Sequence, residues 1–403
     1  MTHVWRKMRT MAQRQNAVLP TTAVAALLSI GYLSLSSDDS LSSCEEESRR
    51  PKLIFLGTGS STGCPKQLCT MLFQPNRVSK DPEILKLQAE HLFHCKTSNK
   101  AIIGDPKTNK DYRNNPSILI SHYNNNSSQG MHAQNVIFDV GKTFREGAIR
   151  WMPVHGIRSL DAVILTHHHM DAVAGLDDLR GFQKVTGLVH AYLPRPYNVH
   201  GRPSHPVRQP IPIYLSQPCL EQVSRQFPWL FPTMKAANIV DHVTPVKRDV
   251  ASLQVHVIQN YVPFVAAGLK VIPLPVLHGD DLISLGFAMS VVGSDKDKTP
   301  IHIVYISDIS KMIPETLEFI LTRLPQTDIL ILDALLPDHH VHPVHFNLPQ
   351  AMELANQINP TQHTYVIGMS CDAFLPHDEM NASLVARGHS NISLAHDGLV
   401  VEL

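Results

Sequence analysis

The stretch LTHHHMDAVAGLDDLR, residues 165–180, places imidazole and carboxylate side chains close together at the end of an apolar run. His167 and His169 are two residues apart, so a short turn can direct both rings at one ion. Asp171 can orient that site or serve a neighbouring ion. Imidazole nitrogens with a carboxylate favour zinc, with iron or manganese as alternatives. A histidine-rich surface turn is the competing interpretation of this run by itself.

Three more polar residues stand at the ends of later apolar runs. His278 ends VIPLPVLH, Asp308 ends IHIVYISD and Asp333 follows ILIL. Because strands of one sheet can present such residues at a common rim, His278 is a candidate third imidazole for the first ion. Asp308 is a candidate to complete that site or to bridge two ions. Each of these residues alone could equally be a satisfied residue at a strand end.

The elements that must position these side chains are short apolar strands and amphipathic helices. Strands are predicted at KLIFLG, SILISHY, NVIFDVG, SLDAVILT, LKVIPLPVLH, LGFAMSVVG, IHIVYISD and DILILDAL. Helices are predicted at PETLEFILTRL and LPQAMELANQI, and AVAGLDDLRGFQ also has helical spacing. The predicted strands and helices do not alternate strictly as β-α-β units. Their order is compatible with two similar β-rich halves.

His345 precedes a predicted helix N-terminus in the stretch HFNLPQAMELANQI. Asn347 and Gln350 have the spacing of a capping box, and Pro349 suits the first turn of a helix. His345 is therefore expected just before the helix, near the rim where the other candidate ligands meet. A histidine that belongs only to the capping region is the alternative.

Together these motifs resemble the metallo-β-lactamase-fold hydrolases, whose T-H-x-H-x-D-H turn is matched by Thr166, His167, His169 and Asp171. The stretches FLGTGSSTGCP, VLHGDDLISLGF, YISD and HFNLPQAMELA follow the expected order. The chain is most similar to the branch containing phosphoribosyl cyclic phosphate phosphodiesterase, with ribonuclease Z more distant. The resemblance covers roughly residues 52–400. It implies an α/β (α+β) fold, a four-layer αββα sandwich with the metal at one edge of two facing sheets.

Two second-site ligands of the family pattern are absent. Ala172 stands where the family pattern has a histidine after the aspartate. Gly368 aligns with the histidine that the pattern has near the C-terminus. The resemblance leaves a complete first-site set, His167, His169, His278 and Asp308, and a second site with Asp171 and the shared Asp308. We therefore expect one firmly bound zinc with an open coordination position and a weaker second zinc or manganese that arrives with substrate. A decayed site that binds without turnover is the alternative.

The resemblance implies a metal-dependent hydrolase, and more specifically a phosphodiesterase that cleaves a small linear or cyclic phosphodiester with a zinc-activated water. Asp171 would orient or deprotonate the water, and His345, as a neutral imidazole, would protonate the leaving group or contact the phosphate. Arg195, Arg202 and Arg208 could meet the phosphate, but a solvated proline-rich loop is the favoured explanation for them. A thioester or lactone hydrolase on the same fold and a non-catalytic metal-binding scaffold are the alternatives.

The chain has six cysteines, too few for a disulfide scaffold in 403 residues. Related bacterial enzymes hold a structural metal through cysteines near the N-terminal loop and a late histidine. Cys69, Cys95 and Cys371 fall in comparable regions, and Cys371 takes the place of that histidine. Because no CxxC pair is present, isolated buried thiols are the favoured interpretation of these residues and a structural metal is the alternative.

Composition limits the classes of partner. Hydrophobic residues make up 43% of the chain and charged residues 17%, which is typical of a globular protein with a large core. The net charge is zero, so no electrostatic footprint indicates nucleic acid, and cleavage of tRNA is disfavoured. The expected partner is a small phosphodiester substrate, and a homodimer is compatible with these features.

Residues 1–50 are interpreted as a targeting or anchoring segment with a disordered tether, and residues 51–403 as the hydrolase domain. Residues 1–16 carry Arg6, Lys7, Arg9 and Arg14 without an acidic residue, and the apolar run AVLPTTAVAALLSIGYLSLSS follows. An arginine-rich, acid-free start favours a mitochondrial transit peptide. The apolar run, near the lower limit for spanning a bilayer, makes an N-terminal signal anchor the alternative.

Overall fold

The computed structural model describes residues 50–72, 80–123, 133–186, 207–231, 250–292, 299–371 and 373–403. All of them belong to one compact unit, Arg49–Leu403. The predicted targeting segment and tether lie outside the described residues except for Arg50, and Arg195 and Arg202 also lie outside them. Within the described ranges, no helix is long and apolar enough to cross a membrane.

The β-strands of the described residues follow one another along the whole body of the chain. They are β1 (Lys52–Gly57), β2 (Ser117–Tyr123), β3 (Ala133–Phe138), β4 (Ala162–Ile164), β5 (Val185–Thr186), β6 (Val207–Arg208), β7 (Ile211–Ser216), β8 (Leu253–Ile258), β9 (Phe264–Ala266), β10 (Leu269–His278), β11 (Leu282–Val291), β12 (Ile301–Ile306), β13 (Ile329–Asp333), β14 (His363–Ile367), β15 (Ile392–Leu394) and β16 (Val400–Glu402). The strands predicted from the sequence are confirmed at their approximate positions.

The α-helices of the described residues connect these strands. They are α1 (Gln67–Leu72), α2 (Pro82–His94), α3 (Lys96–Ile102), α4 (Phe144–Trp151), α5 (Met170–Val173), α6 (Gln217–Gln226), α7 (Pro314–Arg323), α8 (Leu348–Ile358) and α9 (His377–Ala386). Short 3-10 helices cover Met152–His155 and Leu176–Phe182. The helices predicted at α7 and α8 are confirmed, whereas AVAGLDDLRGFQ forms one turn of α-helix and a 3-10 segment.

Two seven-stranded mixed sheets form the body. The first has the strand order β16-β1-β2-β3-β4-β7-β8 and the second has the order β15-β14-β13-β12-β11-β10-β9. In the first sheet β1, β2, β3 and β16 pair antiparallel, and β3, β4, β7 and β8 pair parallel. The second sheet repeats this division, with antiparallel pairs from β9 to β12 and parallel pairs from β12 to β15.

The apolar side chains of both sheets divide into cores on their two faces. On β1, Leu53 and Phe55 belong to the core between the sheets, and Ile54 belongs to the core between the first sheet and helices α4–α6. A third core joins the second sheet to helices α7–α9. Between the sheets, the ring centroids of Phe138 and Phe287 are 5.5 Å apart. Burial on both faces explains why these strands are nearly continuous apolar runs, and it confirms the four-layer αββα sandwich.

Helix α8 begins as the sequence predicts. The Asn347 side chain accepts a hydrogen bond from the Gln350 backbone N–H, and the Gln350 side chain accepts one from the Asn347 N–H, both at 2.9 Å. This capping box satisfies donors that the first helical turn leaves unpaired. It also fixes the direction in which the chain enters α8, and therefore the position of the residues just before it.

A buried carboxyl group makes the stability of the fold depend on pH. Asp397 accepts hydrogen bonds from the Thr58 hydroxyl and the Asn114 backbone N–H. Burial raises the pKa of Asp397 to about 7, although both hydrogen bonds oppose the shift. In the unfolded chain an aspartate has a pKa of about 3.9. The folded state therefore holds this proton across a pH range in which the unfolded state has released it.

We expect Asp397→Asn to flatten the pH dependence of unfolding. A raised carboxyl pKa contributes stability that is complete below about pH 4 and is lost as the pH rises through about 7. Asparagine does not titrate, so in the variant this part of the free energy of unfolding no longer changes with pH. Urea unfolding of both proteins at a series of pH values measures the difference. If the free energy of unfolding changed equally with pH in the two proteins between about pH 4 and 7, this account would be contradicted.

Candidate metal centre

A chain of buried hydrogen bonds orients His167. The Asp139 carboxylate, just after β3, accepts from the Thr166 backbone N–H at 2.9 Å and from the Thr166 hydroxyl at 2.8 Å. Because the Thr166 hydroxyl donates its hydrogen bond to Asp139, it can accept a hydrogen bond from Nδ1 of His167, at 2.8 Å. His167 is 1% exposed, and its Nε2 is buried without a hydrogen-bond partner among the described residues. An imidazole protonated at Nδ1 leaves the Nε2 lone pair free for an ion.

His278 is oriented in the same way. Its Nδ1 lies 2.7 Å from the carbonyl oxygen of Val344, and because a carbonyl only accepts, Nδ1 carries the proton. The Nε2 lone pair of His278 then faces Nδ1 of His169 at 3.3 Å. Tetrahedral zinc with Zn–N bonds of about 2.0–2.1 Å separates its ligand nitrogens by about 3.3–3.4 Å. The ring spacing therefore suits zinc.

The three predicted imidazoles converge on one point. The ligand atoms of His167, His169 and His278 all lie within 4.8 Å of one another. The turn that carries the first two is fixed by a backbone hydrogen bond from Leu285 of the second sheet to the Thr166 carbonyl, at 3.0 Å. Ligands from both sheets thus meet where their strands end. The unpartnered Nε2 of His167, together with the donor set, fits a divalent metal such as zinc.

A second group of ligand atoms adjoins the first and shares His278. It contains His278, Asp308 and His345, again within 4.8 Å of one another. The sequence predicted Asp308 as a ligand together with His167, His169 and His278, but the structure groups it with His278 and His345. Nδ1 of His345 lies 3.8 Å from Asp308 and 2.8 Å from the Asp333 carboxylate, which is 2% exposed. His345 stands immediately before α8, as predicted.

The electrostatic environment separates the histidines into two kinds. Burial lowers the pKa of His167 well below its usual value and also lowers the pKa of His169, which keeps both rings neutral and able to ligate. Burial would lower the pKa of His345 too, but Asp333, with a smaller contribution from Asp308, raises it to about 9. The raised pKa favours the imidazolium form of His345, which differs from the neutral ring expected from the sequence.

The two family ligands that this chain lacks are lost in different ways. Ala172 is 2% exposed and belongs to the outer core of the first sheet, so its side chain contributes packing. Gly368 has φ 79°, and a Cβ atom there would overlap Oδ1 of Asp333. The missing side chain at position 368 thus makes room for the carboxylate that pairs with His345.

The remaining predicted residues lie near the centre without joining its two groups. Asp171 is 7% exposed in the single turn of α5, and its charge raises the pKa of His167, His169 and His345. Among the described residues it belongs to neither group of ligand atoms. The Arg208 backbone is in β6, and its side chain lies outside the description.

Two residues beside the site were not given these roles from the sequence. Asp139 orients the turn of His167 through Thr166, and Asp333 pairs with His345. Both follow apolar strands, which is the pattern that marked His278 and Asp308. A polar residue at the end of an apolar strand is a signal that could have placed Asp139 and Asp333 at this rim. Their hydrogen-bond partners could not be predicted in this way, because they depend on which strands are neighbours in the sheet.

The cysteines are not isolated, contrary to the favoured interpretation. Cys64, Cys69, Cys95 and Cys371 form a buried cluster with Ala101. Sγ of Cys69 lies 3.8 Å from that of Cys95 and 4.0 Å from that of Cys371. Zn–S bonds of about 2.3 Å in a tetrahedron place sulfur atoms about 3.8 Å apart. Hydrogen bonds with Cys64 and Cys95 lower the pKa of Cys371, whereas burial raises the pKa of Cys69.

Two mixed sheets between outer helices, with metal ligands where the strands end, are the architecture of the metallo-β-lactamase-fold hydrolases. Residues 134–368 match a family model described as a beta-lactamase superfamily domain. That match covers more than half of the chain, so the protein belongs to the β-lactamase superfamily.

Similar solved structures agree with this assignment. A diphosphatase of the PhnP family is 25% identical, with a TM-score of 0.56 over 88% of this chain and 97% of the other. Zinc-bound PqqB from Methylobacterium extorquens is 16% identical, with a TM-score of 0.53 over 87% of this chain and 100% of the other. The long form of RNase Z from yeast is 12% identical, with a TM-score of 0.51 over 89% and 42% of the two chains. The last two show the fold alone.

A further relative is named for a different activity. The protein named octanoyltransferase from Porphyromonas gingivalis (strain ATCC BAA-308 / W83) is 26% identical over 349 residues. The match covers 86% of this chain and 51% of the relative. The chain thus spans about half the length of that protein.

We expect His167→Ala to lower the metal content by one equivalent per chain relative to the native protein, because it removes a ligand with a fully oriented lone pair. His168→Ala is the matched control, since the neighbouring ring is in neither ligand group of the described residues. Elemental analysis of protein purified without chelator measures both. Equal metal contents in the native chain and the His167→Ala variant would exclude this centre as a firm metal site.

Proposed function

We propose that the protein is a metal-dependent phosphodiesterase acting on a small, linear or cyclic phosphodiester. The observation that carries the proposal is the Asp333–His345 pair, 2.8 Å apart, beside the three histidines. It supplies a proton donor next to an electrophilic centre, which is what departure of an alkoxide from phosphorus requires. The likeness to a diphosphatase of the PhnP family supports chemistry at a phosphate.

His167, His169 and His278 would hold a zinc ion, with Asp308 as a carboxylate ligand. A bound zinc supplies Lewis acidity, lowering the pKa of water and polarising a phosphoryl oxygen. The weakened second position, next to Asp171 and Asp308, would take a second zinc or manganese only together with the substrate phosphate. The chain itself supplies the remaining functions, which are proton transfer and orientation.

The residues around the histidines divide the proton transfers between them. Asp171, 7% exposed, would orient the attacking water and accept its proton. His345 would give the Nε2 proton of its imidazolium to the leaving oxygen, while Asp333 holds Nδ1 and stabilises the charged ring. A negative phosphate oxygen would also be attracted to His345 before the bond breaks. One charged ring can thus both bind the substrate and protonate the leaving group.

We expect His345→Gln to lower kcat by about 10²- to 10⁴-fold on a dialkyl phosphodiester, because the alkoxide then departs without a proton. The loss should be much smaller on bis-p-nitrophenyl phosphate, whose leaving group departs unprotonated. Steady-state assays with zinc or manganese on both esters and on cyclic nucleotides measure the two losses.

The matched control is His340→Gln, in the same loop, whose side chain is 82% exposed and pairs with Asp338. It should leave both rates near those of the native enzyme. Equal losses on the two esters in His345→Gln would contradict a general-acid role and leave His345 as a contact to the phosphate.

A thioester or lactone hydrolase is the second candidate, and the octanoyltransferase relative favours it because that protein is named for moving an acyl group. An octanoyl thioester in the same assay separates the two functions. Hydrolysis of the thioester with no turnover of any phosphodiester would replace the proposal. A metal-loaded chain that is inert on every ester, with His167→Ala changing only its stability, would indicate a scaffold protein.

We further propose that residues 1–50 direct the protein to the mitochondrion, on the strength of their arginine-rich, acid-free start. Import of the full chain into isolated mitochondria should be accompanied by shortening at the N-terminus. A full-length chain that stays in the membrane after carbonate extraction would instead indicate the signal anchor.

A further inference from the structure

The outer face of the second sheet has a cavity beyond the end of helix α7. Strand β10 has ten residues and is about 33 Å long, whereas the ten residues of α7 extend about 15 Å. The helix packs against β10 but is too short to cover its whole length. It ends at Arg323, and a cavity of about 130 Å³ lies at this end.

The floor of the cavity is an apolar row across three neighbouring strands. Ile272 on β10 pairs with Ala288 on β11, and Ala288 pairs with Val304 on β12. Ala288 and Val304 belong to the third core, and Ile272 packs against that core. Leu324 and Pro325, which follow α7, also line the cavity. An alkyl group placed here would therefore extend the apolar core of the sheet.

A polar row lies beside the apolar one on the same face. Lys270 pairs with Ser290, and Ser290 pairs with His302, two positions along the same three strands. Oγ of Ser290 lies 3.0 Å from Nδ1 of His302. A hydroxyl and a neutral imidazole have one donor hydrogen each, and only one of the two can lie between them. Whichever residue donates, the pair keeps a second donor for a ligand.

The charged residues that line the cavity are all cations. Lys270 belongs to the polar row, and Arg323 is at the end of α7, whereas no described carboxylate lines the cavity. Both cations are exposed, and neither forms an ion pair with a described residue. The resulting positive potential favours an anion. The planar guanidinium of Arg323 matches the two oxygens of a carboxylate, and Lys270 adds a point charge.

The size of the cavity limits the length of the ligand. An apolar cavity of about 150 Å³ in another protein holds one benzene molecule, so a volume of about 130 Å³ suits about six non-hydrogen atoms. A carboxylate at the cationic rim with an alkyl chain of about four carbons along the apolar row has this size. The chemistry of the two rows thus matches the two ends of one small molecule.

We propose that this cavity is a second ligand site, which binds a short-chain carboxylate between Lys270 and Arg323 with its alkyl chain on the apolar row. The site is separate from the histidine centre. Lys270 and His278 stand at opposite ends of β10, about 26 Å apart at the rise of an extended strand. A ligand of this size cannot reach both, so the two sites can be occupied at the same time.

Saturation-transfer difference NMR on the full, metal-loaded chain tests the class of ligand. Pentanoate should bind with a dissociation constant in the millimolar range. Acetate lacks the alkyl chain and should bind at least about 10-fold more weakly, because it buries fewer methylene groups. Pentylammonium has the chain with the opposite charge and should also bind more weakly. Equal affinities for pentanoate and either of the other two ions would overturn the proposal.

Charge reversal tests the place of binding. The double variant Lys270→Glu, Arg323→Glu changes two exposed side chains, so it should fold. It should lose affinity for pentanoate and gain affinity for pentylammonium. Lys107→Glu is the matched control, an exposed lysine outside this cavity, and should leave both affinities unchanged. Unchanged pentanoate affinity in the double variant would overturn the site.

Filling the cavity tests its floor independently of charge. Ala288→Leu adds three carbon atoms above the apolar row and should abolish pentanoate binding while both cations remain. Unchanged binding in a folded Ala288→Leu chain would overturn the role of the floor.

A carboxylate can also ligate zinc, so the histidine centre needs a control of its own. Pentanoate binding should persist in His167→Ala, because the two sites share no residue. Loss of pentanoate binding in this variant would place the ligand on the zinc and overturn the proposal. Because no phosphodiester is turned over in these measurements, their outcome is independent of the proposed phosphodiesterase activity.

Discussion

The hydrogen bonds from Thr166 to the buried carboxylate of Asp139 are the contacts on which the histidine centre depends. β3 and β4 are parallel neighbours, so Asp139 and Thr166 emerge at the same edge of the first sheet. Because the hydroxyl donates to Asp139, it can only accept from His167, which sets the tautomer and directs Nε2 toward the site. Burial raises the pKa of Asp139, so its charge is costly and the two hydrogen bonds offset that cost.

The two positions where the family pattern has further histidines, Ala172 and Gly368, have different surroundings in this chain. Ala172 now fills an apolar core, whereas Gly368 leaves space that the Asp333 carboxylate occupies. Asp333 holds His345 as an imidazolium next to Asp308 and in electrostatic range of Asp171. The positive charge that these carboxylates favour on His345 partly offsets their own negative charge. Of the two positions, only Gly368 bears on the charge of His345, because it leaves the space in which Asp333 lies.

The thiol cluster joins parts of the chain that are distant in sequence. Four cysteines come from segments as far apart as residues 64 and 371, and they are buried together. The sulfur atoms of Cys69, Cys95 and Cys371 lie within 4.8 Å of one another, a spacing that could hold a metal ion. The spacing of the cysteines along the chain favoured isolated thiols, because proximity across more than three hundred residues leaves no local signature.

Local patterns determined the strands, helices α7 and α8, the capping box and the order of the ligands, because hydrophobic periodicity and turn chemistry act over a few residues. They also marked His167, His169, His278, Asp308 and His345 as residues at strand or helix ends. Tertiary structure alone decided which residues meet: Asp308 joins His278 and His345, Asp333 pairs with His345, and the sulfur atoms of Cys69, Cys95 and Cys371 lie within 4.8 Å of one another. Strand order and burial, which depend on contacts between distant segments, set those distances and the resulting pKa shifts.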